Sequence, residues 1–407
     1  MKLLRLGGTG LVWFALLFLG GFSAFAQTNI QLLTTLSGNF GPLATSGHYL
    51  FAAGYGYPPA SALRIFEVSD PAHPVDVGYQ DGGGTLSGVC ISGHYAYVSC
   101  NQFGGGYDLS TRILDISNPT NPVMVGKIEG PWQNGAVDGR FAYMVGGVLG
   151  VFDVSDPQNP RSVGQASLPW GYSGAIVARD GYVYLIHNYG LSIYDVSDPS
   201  NPKHCGGPVV AGALGAYGFD LSGNSACVTD GTNGLWIANV SCPTNPVIVY
   251  HQFWSGLSLA YLQGVVTSGN YAYVGGWIYS SAQGVLGLDI TDPTNATLVA
   301  SASGGNSSGY YLAMAPEGYL YSGDPWGLSV FSLGATAPPP LTVTCTATNN
   351  LLLSWPTPTP AFAVQQSPDL NPTNWHTSAT TPVVAGGRNQ VMLTKPEKPM
   401  FYRLISQ

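Results

Sequence analysis

The sequence predicts an all-β protein: a seven-bladed β-propeller, closed by its N-terminal strand, followed by a small β-sandwich. Three observations predict it. A turn motif recurs six times, short apolar or alternating strands fill the space between recurrences, and charge is scarce while turn-forming residues abound. Charged residues are 8 % of the 407, against 55 glycines, 30 prolines and 24 tyrosines. That composition suits many short strands joined by tight turns. A hydrophobic share of 45 % is too high for a disordered chain.

The motif is a strand running into Ser-Asp-Pro-x-x-Pro. It reads FEVSDPAHP at Phe66–Pro74, LDISNPTNP at Leu114–Pro122, FDVSDPQNP at Phe152–Pro160 and YDVSDPSNP at Tyr194–Pro202. It returns as ANVSCPTNP at Ala238–Pro246 and LDITDPTNA at Leu288–Ala296. Its first proline stands at 71, 119, 157, 199, 243 and 293, an uneven spacing that propeller loops absorb and solenoids seldom do. Asp70, Asp156, Asp198 and Asp292 are placed to accept backbone hydrogen bonds as Asx turns, with proline fixing the next φ. The acids three residues earlier (Glu67, Asp115, Asp153, Asp195, Asp289) lie on the preceding strand. No D-x-D-x-D-G loop accompanies them, so the turn is read as structural, with no metal and no cofactor expected.

Each unit divides into four strands. In the second, Leu86–Ser92 leads through a Gly93-His94 turn to Tyr95–Cys100, and a long loop leads to Thr111–Ser117. The Asn118-Pro119 turn then leads to Val123–Ile128. A seventh unit, Leu312–Leu333, has three strands and no turn motif. Ile30–Leu36 is expected to be its fourth strand, so that the N-terminus closes the ring and leaves no long sheet edge, giving seven blades with six or eight as the alternative counts. The unit GHYAYVSC…TRILDISNPTNPVMVG and its equivalents resemble the LVIVD repeat, a β-propeller repeat of exported and cell-surface bacterial proteins. The resemblance covers about residues 30–334 and implies the fold; it supplies no catalytic residues. Cys242 in place of Asp, and Ala296 in place of Pro, depart from the pattern.

Residues 1–26 read as a secretory signal: Lys2 and Arg5, an apolar core at Leu11–Leu19, and Ala24-Phe25-Ala26 before Gln27. The mature chain is therefore expected outside the cytoplasm, secreted, periplasmic or on the cell surface, without further membrane insertion. The propeller is assigned to 27–335, a Pro-rich linker to 336–340 and the small domain to 341–407. Five strand-like runs (LTVTCTA, LLLSWP, FAVQQSPDL, QVMLT, FYRLIS) make the last domain similar to fibronectin or immunoglobulin sandwiches, with Trp355, Trp375 and the FYRL ending as core. The six cysteines lack the spacing of a disulfide framework or a zinc site. Cys90 and Cys100 flank one hairpin at offset positions, and mostly buried thiols are expected.

From Gln27 to Thr336 nineteen acidic residues face seven basic ones, without any Lys/Arg run, which argues against a nucleic-acid partner. One face of the ring carries the repetitive SGHY-type and SDPxxP turns. The other carries loops of unequal length, rich in aromatics, and loops on a rigid scaffold are where binding concentrates. The candidate binding residues there are Tyr55, Tyr107, Trp132, Trp170, Trp254, Trp277, Tyr279 and Trp326. Phe40, Tyr217, Tyr310 and Tyr311 belong to the same loop sets. A weakly charged aromatic rim suits a protein or a polysaccharide ligand, so the reading is a non-catalytic interaction scaffold. Two alternatives stand beside it. One is a polysaccharide hydrolase or lyase using acids such as Asp108, Asp230 and Asp324, or His187. The other is a purely structural surface protein. Gly305-Asn306-Ser307-Ser308-Gly309 matches G-x-S-x-G, but in an all-β setting that cannot form a nucleophile elbow.

Overall fold

The computed structural model describes residues 30–54, 62–81, 85–100, 109–168, 174–187, 190–209, 217–231, 233–252, 259–278, 282–303, 309–315, 318–333, 341–346, 350–356, 362–367, 376–378, 380–385, 388–394 and 400–406. The signal segment, the 336–340 linker, Gly305–Ser308 and Trp375 lie outside them. The chain divides into two compact units, one of Thr28–Ala315 with Tyr319–Leu333, the other containing Gly334–Gln407.

The first unit is a ring of four-stranded antiparallel sheets, the blades. Blade 1 is β2 (Phe40–Ser46), β3 (Tyr49–Gly54), β4 (Ala62–Glu67) and β5 (Val75–Asp81). Blade 2 is β6 (Leu86–Ser92), β7 (Tyr95–Cys100), β8 (Ser110–Asp115) and β9 (Val123–Glu129). Blade 3 is β10 (Asn134–Asp138), β11 (Phe141–Val145), β12 (Val148–Asp153) and β13 (Arg161–Ser167). Blade 4 is β14 (Ile176–Arg179), β15 (Tyr182–His187), β16 (Gly190–Asp195) and β17 (Lys203–Val209). Blade 5 is β18 (Gly218–Ser222), β19 (Ser225–Thr229), β20 (Leu235–Asn239) and β21 (Val247–Gln252). Blade 6 is β22 (Leu259–Ser268), β23 (Tyr271–Ile278), β24 (Ala282–Asp289) and β25 (Thr297–Ser303). Blade 7 is β26 (Tyr311–Ala315), β27 (Tyr319–Asp324) and β28 (Gly327–Leu333), completed by β1 (Ile30–Ser37), which pairs with β28. The first strands of successive blades contact one another in sequence, and β26 contacts β2, so the ring closes. β8 ends at Asp115, earlier than the sequence suggested, because its carboxylate already accepts from Ser117 N at 2.9 Å and starts the turn.

The turns are built locally, twice over. The strand acid accepts from the backbone two residues on: Glu67 from Ser69 N, Asp153 from Ser155 N, Asp195 from Ser197 N and Asp289 from Thr291 N, at 2.8–3.0 Å. The turn acid does the same: Asp70, Asp156, Asp198 and Asp292 accept at 2.9–3.1 Å. In blade 5, Asn239 stands in for the strand acid. Cys242 still makes the backbone turn, accepting from Asn245 N at 2.9 Å. The residue after the third strand donates its N–H to the hairpin turn between the first two: Val68 to His48 O, Ile116 to His94 O, Val154 to Arg140 O and Val240 to Asn224 O. Both repetitive turns therefore share one face of each blade.

Outer strands carry a second device. In blades 1 to 6 the third and fourth strands pair with a register shift, between Ile65 and Phe66 in blade 1 and between Ile113 and Leu114 in blade 2. Such a bulge bends and twists the strand. Beside it, in blades 1 to 4, sits a glycine facing the turn of the next blade. A Cβ on Gly78 would stand 2.2 Å from Pro119 O, on Gly126 2.0 Å from Pro157 O, on Gly164 2.3 Å from Pro199 O and on Gly206 1.9 Å from Pro243 O. No side chain fits there. Apolar residues of adjacent blades fill the rest, as where Phe51, Leu63 and Ile65 of blade 1 meet Leu86, Val98 and Leu114 of blade 2.

The second unit has two sheets, one ordered β29 (Thr342–Cys345), β30 (Asn350–Pro356), β34 (Arg388–Thr394), β33 (Val383–Ala385), the other β32 (His376–Thr377), β31 (Phe362–Ser367), β35 (Phe401–Ser406). Trp355, Leu351, Leu353 and Val391 of the first share a core with Val364 and Leu404 of the second. Among the described residues the strands number seven, against the expected five, because β32 and β33 are too short to show a pattern.

Gly126→Ala is expected to lower stability in urea unfolding by about 1–3 kcal/mol, since backbone rather than a side-chain tip must move. Gly147, with open space around its Cα, is the control: Gly147→Ala is expected to change stability by less than about 1 kcal/mol.

Candidate functional site

The loop-bearing face places the candidate aromatics very differently. Trp132 is an interior residue, 9 % exposed, and not part of a rim. Its Nε1 donates to Glu129 O at 2.9 Å, and its ring meets Phe152 edge-on at 5.4 Å. It folds inward because Gly150 leaves a slot on β12, where a Cβ would stand 2.7 Å from the Trp132 ring. Phe40 is likewise fully buried, edge-on to Phe66 at 5.9 Å. Trp326, by contrast, is 56 % exposed at the β27–β28 turn, where Asp324 Oδ1 accepts from Trp326 N at 2.8 Å and Gly327 N at 3.1 Å. Trp277 lies on β23, paired with Tyr261 and Gln283, and its side chain is outside the described residues. Tyr55, Tyr107, Trp170, Trp254 and Tyr279 also lie outside them.

Four tyrosines do come together, at the loop-side ends of the inner strands of blades 5, 6 and 7. Tyr217 directly precedes β18, Tyr261 lies on β22, Tyr310 precedes β26 and Tyr311 begins it. Ring centroids are 5.2 Å apart for Tyr217 and Tyr261, 6.5 Å for Tyr217 and Tyr310, and 4.8 Å for Tyr310 and Tyr311. The tilted and edge-on geometries are those aromatic quadrupoles favour. The Tyr261 hydroxyl donates to the Tyr217 hydroxyl. Burial, then that bond, and the nearby Asp230 hold the Tyr261 phenol well above its usual range.

Backbone locks the cluster. Gly231 and Leu262 exchange two N–H···O bonds of 3.0 Å, joining the β19–β20 loop of blade 5 to β22 of blade 6. Gly231 has φ +45°, and a Cβ there would come within 3.1–3.2 Å of Tyr261 and Tyr217. Beside it, Asp230 is 2 % exposed, and Asn233 Nδ2 donates to its Oδ2 at 3.2 Å. Burial raises the Asp230 carboxyl; Asn233 and His251 oppose the rise. His251 Nε2 donates to Asn233 O at 2.8 Å, and its ring lies flat on Trp236 with centroids 3.3 Å apart. Gln263, two residues beyond Tyr261, is 7 % exposed; its backbone O accepts from Thr229 Oγ1 at 2.6 Å, while its Oε1 is buried and has no hydrogen-bond partner among the described residues.

Tyr217, Tyr310 and Tyr311 were visible in the sequence as loop aromatics. Tyr261, Asn233, Gln263 and the Trp236–His251 stack were not, because they sit in or beside strands. Only the structure sets their strand apart: β22 has ten residues, against four to seven in the other inner strands. The groups considered for catalysis hold their own blades together: Asp230 caps the β19–β20 loop, Asp324 the β27–β28 turn, and His187 Nε2 lies 2.7 Å from Ser192 Oγ. Asp108 is outside the described residues. Cys90 faces Tyr97 and Cys100 faces Leu86, so these two are not cross-strand partners.

Trp132→Ala should cost about 3–5 kcal/mol of stability as a core truncation, whereas Trp326→Ala should stay within about 0.5 kcal/mol; denaturant unfolding separates the two. His187 supplies a pH test. Burial, then the charge of His204, pushes its imidazole down to about 4. Below pH 6.5 the unfolded ring takes a proton that the folded ring refuses until about pH 4. Stability therefore falls as pH drops through that window, by up to about 3 kcal/mol from this group. Subtracting the His187→Gln profile isolates the effect from Asp230, whose raised carboxyl acts in the opposite sense.

The LVIVD repeat model matches residues 83–130, 129–166, 170–206, 216–251 and 261–303, in turn the segments of blades 2 to 6. A search of curated proteins finds no match. Among solved structures, BamB from Moraxella catarrhalis superposes with a TM-score of 0.51 at 12 % identity, over 76 % of this chain and 99 % of that one. A chain of a mitotic checkpoint complex gives 0.58 at 12 % identity over 76 % and 97 %. The WD40 β-propeller domain of Doa1 gives 0.56 at 9 % identity over 75 % and 97 %. At such identities the likeness concerns the fold alone. With its repeats falling blade by blade across residues 83–303, the chain is an LVIVD-repeat β-propeller protein.

Proposed function

We propose that this chain is an exported, non-catalytic interaction scaffold whose loop-bearing face takes a protein or carbohydrate ligand. The observation that carries the reading is the contrast between the two faces. On the turn face the motif acids accept from their own turns, and the same local geometry repeats from blade to blade. On the loop face the repeat is broken, and blades 5 to 7 present the tyrosine cluster with Trp326 exposed nearby on blade 7. Surfaces that recur by symmetry serve the scaffold; surfaces that differ can recognise. A chain of a mitotic checkpoint complex with a similar fold is one example of such a fold placed in a protein assembly. Export rests on the signal-like segment ending at Ala26.

Photo-cross-linking in the secreting cell tests this. A benzophenone side chain at Tyr310 or Trp326 is expected to give a discrete adduct. The same group at Gln158, on the turn face, is expected to give none. Adducts from Gln158 alone would overturn the assignment of the binding face.

A further inference from the structure

We propose that the tyrosine cluster of blades 5 to 7 binds a neutral oligosaccharide, which extends along the loop end of blade 7 toward Trp326. The inference rests on the loop face being the binding face, and it names the ligand class.

The chemistry of the lining selects the ligand. It consists of tyrosine rings and hydroxyls and the Asn233 amide, with the buried Asp230 carboxyl behind them. A buried acid in such a set disfavours phosphate, sulfate and uronate groups. Sugar hydroxyls suit it, since they donate to a carboxylate or amide oxygen and accept from a phenol.

Shape agrees. A protein hot spot wants a contiguous patch that can be fully dried. Here the exposure is divided between two rings, Tyr310 at 38 % and Trp326 at 56 %, with polar groups near the first. Flat rings with hydrogen-bonding groups beside them suit the apolar C–H faces of sugars. Tyr311 pairs with Gly323, and Asp324 with Gly327, so both exposed aromatics lie at the same end of blade 7. Strands in a sheet are about 4.8 Å apart, which puts the two positions roughly 5–10 Å from each other. That separation matches one to two sugar residues along a chain and points to an oligosaccharide. The bridge between Gly231 and Leu262 fixes the cluster beforehand, so little ordering accompanies binding.

The test is calorimetric titration of the mature full-length protein with neutral hexasaccharides: cellohexaose, xylohexaose, mannohexaose and laminarihexaose. Hexagalacturonate serves as the anionic counterpart. At least one neutral hexasaccharide is expected to bind saturably, and hexagalacturonate is not. Tyr310→Ala and Trp326→Ala should each weaken binding at least tenfold, and Tyr310→Phe should restore it, because the ring and not its hydroxyl carries the stacking. Gln158→Ala on the turn face should leave it unchanged. Binding that survives both alanine variants would overturn the site. Silence toward every neutral hexasaccharide, with a protein adduct still forming at Tyr310, would overturn the ligand class and leave the loop-face reading intact.

Discussion

The ring depends on one contact repeated between blades: a turn carbonyl seated against an outer-strand glycine of the preceding blade. At four successive junctions a Cβ on that glycine would lie 1.9–2.3 Å from the first-proline carbonyl oxygen. The motif and the glycine are therefore one device split over two blades. Proline holds the carbonyl in place, the bulge tilts the outer strand toward it, and the glycine lets backbone meet backbone. Blade spacing is set by main chain, which varies little, and the apolar layers between blades fill the gap so defined.

The fifth junction shows the rule by its exception. Blade 5 has Tyr250 where blades 1 to 4 have glycine, since Tyr250 pairs with Ile237 as Gly206 pairs with Ile193. The next turn ends in Ala296 instead of proline, and Tyr250 Oη donates to Ala296 O at 2.9 Å. In the sequence Ala296, like Cys242, read as a local departure from the motif. In the fold it is half of an exchange, with a hydroxyl replacing direct backbone contact. Blade 7 needs no such turn, because its outer strand is β1, arriving from the other end of the chain.

What could be read from the sequence was what local chemistry decides. Asp70, Asp156 and Pro157 set their turns within a few residues, and β1 followed from counting strands. The fate of individual aromatics could not be read this way. Trp132 is buried by Gly150, eighteen residues later and two strands away, while Trp326 is held outward by a turn that its own neighbour Asp324 caps. Tyr261 looks like an ordinary strand residue until Gly231 of another blade bonds to its neighbour Leu262. Burial of a loop ring is settled by what faces it across the sheet, and one sequence does not display that partner.

Departure from the repeat and the candidate site coincide. Blade 5 loses the glycine at Tyr250, and the adjacent His251 reaches Asn233 O and stacks on Trp236, steadying the loop that carries Asp230 and Gly231. That loop bonds to β22, the longest inner strand, which carries Tyr261 and Gln263. Blades 1 to 4 keep the glycine rule, and the four tyrosines found together all belong to the blades beyond them. A repeat optimised only for closure would gain nothing from replacing a glycine that fits. The replacement makes sense if the same stretch of chain must also hold an asymmetric group of side chains, which is where rule-breaking is expected in a consistent fold. The scaffold tolerates it because each blade contacts only its neighbours, so one junction can be rebuilt around a site while the others keep the ring closed.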